Sequence, residues 1–178
     1  EEYYYLKASI LKQSKKYSGA KRTSLRCLTS KDSRKRAKLL RADIAFCQGD
    51  YKRAFRSYFL LDKQKSSYSA SIGMALSLFN LNDFESLVFQ LKRNQRMYGT
   101  TPENLYLSLK YAVKIGDDNS IIEMMKLPKV KNSELPEFAI ARGVVKFNNG
   151  SYLEAMNEFS SVSLFAKRQL YTEQVLLA

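Results

Sequence analysis

Four turn-forming residues, Gly49, Asn82, Gly116 and Gly150, stand 33, 34 and 34 residues apart, and a further step of 34 back from Gly49 reaches Lys15 inside "KKYSGA". A fixed period of this length signals a repeat architecture in which each unit buries its apolar face against the next. Five units of nearly equal length tile the chain, at about 1–34, 35–67, 68–101, 102–135 and 136–169, with 170–178 as the start of a truncated further helix. The whole is expected as one repeat domain.

The period fixes columns as well as turns. Seven residues before each turn site stand Ala8, Ala42, Ala75, Leu109 and Gly143, and five after stand Ala20, Ala54, Leu87, Ile121 and Ala155. Small residues recurring at two such positions let antiparallel helices approach closely. Between them, two residues after the turn, come Tyr17, Tyr51, Phe84, Asp118 and Tyr152. Each unit is therefore expected to be a helical hairpin, its first helix closed by a left-handed Gly or Asn.

Punctuation agrees with that phase. Thr101-Pro102-Glu103 offers an N-cap followed by Pro at the first helical position, and Ser133 with Pro136 marks the next start. Pro128 should cut short the second helix of the fourth unit. With only seven Gly and three Pro in 178 residues, a chain of many short strands is a poor alternative.

A 34-residue helix-turn-helix unit carrying Ala42, Gly49, Tyr51, Ala54 and Tyr58, and again Gly143, Gly150, Tyr152, Ala155 and Phe159, resembles the tetratricopeptide repeat. The resemblance covers residues 1 to about 169. It implies an all-α, right-handed superhelix of about five hairpins, an α-solenoid, serving as a non-enzymatic protein-protein interaction scaffold. In that family the first helices line the concave side. The corresponding columns give Phe46, Leu76, Phe79, Tyr106, Val113 and Phe147 as an apolar groove, equally readable as core between units. The clamp of Lys, Asn and Arg with which some members hold chaperone tails is absent whether the columns are counted from the first, second or third unit. Scaffold subunits of the anaphase-promoting complex, which pair through N-terminal repeats, share the architecture. A subunit of such a cell-cycle ubiquitin ligase, with homodimer pairing through the first units, is the expectation that follows.

Charge is uneven along the chain, with 18 Lys or Arg against 6 Asp or Glu in residues 1–68 and 12 against 11 in the remainder. The basic patch comprises Arg34, Lys35, Arg36, Lys38 and Arg41, with Lys52, Arg53 and Arg56 added by the next helix. It reads as a solvated face, as a contact for an acidic protein, or as a contact for nucleic acid. The last supports the alternative function, a nucleic-acid-associated helical repeat protein.

Chemistry has few tools here. The chain has no His, which removes the commonest general base and metal ligand. Cys27 and Cys47 are expected as reduced, structural thiols, and Asp117-Asp118 as turn formers. "SGAKRTS" at 18–24 lacks the spacing of a phosphate loop. Neither catalysis, a metal nor a cofactor is expected. Without an apolar run long enough to span a bilayer, the chain is expected in the cytoplasm or nucleus, with no membrane contact.

Overall fold

The computed structural model describes residues 2–27, 31–64, 67–128 and 136–160. Among them every regular element is an α-helix. In chain order these are α1 (Glu2–Gln13), α2 (Tyr17–Leu25), α3 (Lys31–Cys47), α4 (Tyr51–Gln64), α5 (Tyr68–Asn80), α6 (Phe84–Tyr98), α7 (Pro102–Ile115), α8 (Asp118–Met125) and α9 (Pro136–Asn148). A helical stretch over 152–160 follows. Successive helices form five hairpins. They group into two compact units, one reaching to Asn94 and the other beginning at Gln95. Residues 170–178 and Ser133 lie outside the described residues.

The period is written into the backbone. All five sites adopt left-handed φ, 58° at Lys15, 77° at Gly49, 56° at Asn82, 71° at Gly116 and 79° at Gly150. At each one the following N–H donates to the carbonyl five residues back: Lys16 to Leu11 at 2.8 Å, Asp50 to Ala45 at 3.0 Å, Asp83 to Leu78 at 3.1 Å, Asp117 to Ala112 at 3.0 Å and Ser151 to Lys146 at 2.9 Å. These are Schellman closures, which satisfy the last carbonyls of the first helix. Three of the following residues also start the second helix. Asp50, Asp83 and Asp117 accept from the N–H of Arg53, Ser86 and Ser120 at 3.2, 3.2 and 3.1 Å. Hydrogen bonds from Ser120 hold the Asp117 carboxyl below its ordinary pKa.

Lys15 is the site where side chain and backbone disagree, because a Cβ in the left-handed region crowds the neighbouring carbonyl. Lys15→Gly is expected to stabilise the first unit by about 0.5–1 kcal/mol. The gain would appear as a higher urea midpoint with an unchanged slope. An unmoved or lowered midpoint would mean that the Lys side chain contributes more than the strain costs.

The remaining punctuation acts as expected. Thr101 caps α7 by accepting from the Asn104 N–H at 3.3 Å, with Pro102 in the first turn. Helix α8 ends at Met125 after eight residues, ahead of Pro128. All ten small-column residues are buried, from Ala8 through Ala155.

In the first unit, Ala8, Ala20, Leu40 and Ile44 form a core that Tyr5, Leu11 and Tyr17 cover. Further along, the fully buried Tyr58 ring lies against the backbone of α5 at Gly73. Two polar clusters are built into this unit. Tyr58 Oη donates to Asp43 Oδ1 at 2.7 Å, and Lys12 Nζ lies 3.6 Å from Asp43 Oδ2. Arg93 bridges Asp62 at 2.6 Å and Ser71 at 3.3 Å, while Gln90 donates to Ser71 and Asn94, each at 2.8 Å. In the second unit, Glu158 holds α9 through Arg142 at 2.9 Å and Lys146 at 3.1 Å.

Candidate functional site

The six groove residues divide equally between the two units, and burial separates them further. Phe46, Leu76 and Tyr106 are 7%, 1% and 1% exposed, so their side chains belong to the interior. This corrects the assignment of these three to an open trough: side chains buried to this extent leave no surface for a partner. Phe79 and Val113 are half-buried, and Phe147 is exposed.

Three of the aromatics have a local task that the column reading missed. Phe46, Phe79 and Phe147 each stand three residues before a turn site and meet the ring two residues after it. Phe46 packs on Tyr51 with centroids 5.2 Å apart, Phe79 on Phe84 at 6.3 Å, and Phe147 on Tyr152 at 5.3 Å. Edge-to-face and tilted ring pairs of this kind clamp the two helices of a hairpin beside their turn. Phe147 and Tyr152, with Met156 and Phe159, also surround an open apolar hollow of about 470 Å³.

The basic patch is exposed at all eight positions, Arg34, Lys35, Arg36, Lys38, Arg41, Lys52, Arg53 and Arg56. Arg36 is engaged within the chain, donating to Glu2 at 3.0 and 3.2 Å with its guanidinium 4.2 Å from the Tyr5 ring centroid. The Glu2 hydrogen bonds raise its pKa above the ordinary arginine value. Lys38 and Arg41 of α3, one turn apart, instead turn toward Arg53 of α4. Together with Lys21 of α2 they line a pocket of about 240 Å³, walled by Ser57, Leu60 and Leu61.

Lys21 is the member that sequence reasoning missed. It lies in "SGAKRTS", which forms part of α2 and offers no loop to a ligand. Its side chain reaches the pocket because α2 packs beside α3, an arrangement that the hairpin phase contains but a linear charge count does not. Cys27 is buried and Cys47 half-buried, and neither forms a disulfide. Among the described residues no group of three or more Cys, Asp or Glu side chains gathers as a metal site. Nor is any described helix long and apolar enough to cross a membrane.

No family model and no curated protein matches the sequence. Among solved structures the chain is similar to "MamA MSR-1 C2", with a TM-score of 0.57 at 13% identity, covering 94% of this chain and 97% of that one. MamA contains tetratricopeptide repeats. The fold is thus an all-α solenoid of tetratricopeptide type.

Proposed function

We propose that the chain is a non-catalytic protein-interaction scaffold that receives an acidic partner on the basic face of its first unit. The observation that carries this reading is the convergence of Lys21, Lys38, Arg41 and Arg53 on one pocket with no carboxylate in its lining. Repeat folds of this kind present broad surfaces without chemistry, and the resemblance to tetratricopeptide proteins and the likeness to MamA both support a protein as the partner. The apolar rings at Phe79 and Phe147 supply further contact area within their own units. Membership of a larger assembly such as the anaphase-promoting complex, with pairing through the N-terminal hairpins, is proposed on repeat architecture alone.

The test is co-purification with the intact chain in the presence of nuclease, beside Lys38→Glu/Arg41→Glu and Phe147→Asp variants. Proteins retained by the wild type should fall at least tenfold with the basic-face variant. Material lost on nuclease treatment would favour the nucleic-acid reading, for which the basic first third of the chain is the support. Partners lost only with Phe147→Asp would place the surface in the second unit.

A further inference from the structure

We propose that the pocket between α2, α3 and α4 is a phosphate-recognition site for a phosphorylated serine or threonine on a partner protein. The inference rests on the protein-scaffold reading and names the chemical group that the surface selects. Its ground is an imbalance of charge within a small, half-open pocket.

Elsewhere on the described surface several cations are matched, while others such as Lys52 and Arg56 stand in solvent. Arg36 pairs with Glu2, Arg93 with Asp62, Lys126 with Glu123, Arg142 with Glu158, and Lys146 with Glu154 and Glu158. The Lys21, Lys38, Arg41 and Arg53 side chains have no ion-pair partner among the described residues, although they share one cavity of about 240 Å³. Four like charges held together by three packed helices repel one another, and an anion entering from solvent removes that repulsion.

Size and charge narrow the anion. Pockets for drug-sized ligands run from about 300 to 1,000 Å³, so this one suits a single compact group. A phosphomonoester carries about −1.5 to −2 charges and three strong acceptor oxygens, which can be approached from several sides at once. A carboxylate brings one charge and two oxygens to four cations. Arg41 and Arg53 supply fork-shaped donors for two phosphate oxygens, while Lys21 and Lys38 act as point charges.

The walls favour a protein carrier. Leu60, 58% exposed at the edge, offers apolar contact to residues flanking the phosphorylated one. The exposed ring of the same helix, Phe59, stacks on Phe55 with centroids 6.3 Å apart and is not part of the pocket. Single-stranded nucleic acid binds along grooves that join backbone contacts to aromatic platforms, and this pocket lacks such a platform in its lining.

The experiment is an NMR titration of the whole chain with a five-residue peptide, Gly-Ala-Ser-Leu-Ala, phosphorylated on its serine, and with its unphosphorylated twin. Amide shifts around Lys21, Lys38 to Arg41 and Arg53 to Leu61 are expected with the phosphopeptide alone. Affinity should fall at least tenfold in Arg41→Gln/Arg53→Gln, which removes two exposed cations from the pocket. It should change less than twofold in Lys52→Gln/Arg56→Gln, which removes two cations from the same helix outside the pocket. Equal binding of both peptides, or equal loss in both variants, would overturn the proposal and leave only diffuse attraction. Tighter binding of a uridine decamer through the same four residues would overturn it in favour of RNA. Failure here with partners still retained in co-purification would spare the scaffold reading, whereas loss of both would end it.

Discussion

Gly73→Ala is expected to lower the stability of the first unit by about 2 kcal/mol, or about 8–16 °C in thermal midpoint. In an exposed helix the same change would stabilise by about 1 kcal/mol, since Gly is the poorer helix former. Packing reverses the sign. A Cβ at position 73 would stand 2.6 Å from Tyr58 Cζ and 2.7 Å from both adjacent ring carbons. That ring cannot swing aside, because Tyr58 is 0% exposed and its hydroxyl is bonded to Asp43. Gly143 is the internal comparison: a Cβ there meets Phe159, but that ring is 39% exposed and free to turn outward. Gly143→Ala should therefore be neutral or mildly stabilising. Combining Gly73→Ala with Tyr58→Leu should cost less than the sum of the two changes, since the smaller side chain makes room for the methyl. Additive losses would show that Tyr58 is not the obstacle. Hydrogen exchange of α4 and α5 amides reads the effect locally, which matters in a chain of two compact units.

The same comparison shows what the sequence makes legible. A left-handed turn imposes a chemical requirement on one residue, so Gly49, Asn82, Gly116 and Gly150 stand out, and the period alone recovers Lys15 despite its unsuitable side chain. The small columns are equally readable, because close helix approach excludes large residues at most steps. Side-chain partnership is not readable in this way. Periodicity says that Phe46, Phe79 and Phe147 recur, but whether a ring faces solvent, a neighbouring helix or the residue five further along depends on the tilt of the hairpin. Burial of Leu76 and Tyr106, each 1% exposed, is likewise a matter of packing that the column pattern does not carry. Polar residues mislead most. Gln90, Arg93 and Asn94 lie on a second helix with a mixed face, and only its packing against α5 turns them into an interior network around Ser71. The basic pocket has the same origin, since its four cations come from three helices and include one outside the recognised patch.

The buried Lys12, Asp43 and Tyr58 cluster gives the first unit a pH dependence whose direction separates two physical accounts. Asp43 is 4% exposed, and burial pushes its carboxyl up to about 6 from an ordinary 3.8, against the opposing pull of Lys12 and the Tyr58 hydrogen bond. Burial, then the charge and hydrogen bond of Asp43, push the Tyr58 hydroxyl well above its own ordinary value. With the folded carboxyl titrating higher than the unfolded one, the folded state holds a proton that the unfolded chain releases between about pH 4 and 6. Stability from this group is complete below pH 4 and is lost as pH rises through 6, by about 3 kcal/mol in all. Asp43→Asn keeps an acceptor for the Tyr58 hydroxyl and removes the titration. The wild-type stability minus that of Asp43→Asn, from urea unfolding or α3 amide exchange, should fall by about 3 kcal/mol between pH 4 and 7. If attraction to Lys12 outweighed burial, the carboxyl would titrate below its ordinary value and the difference would rise with pH. Parallel curves would mean that water reaches Asp43 in the folded state and cancels its desolvation.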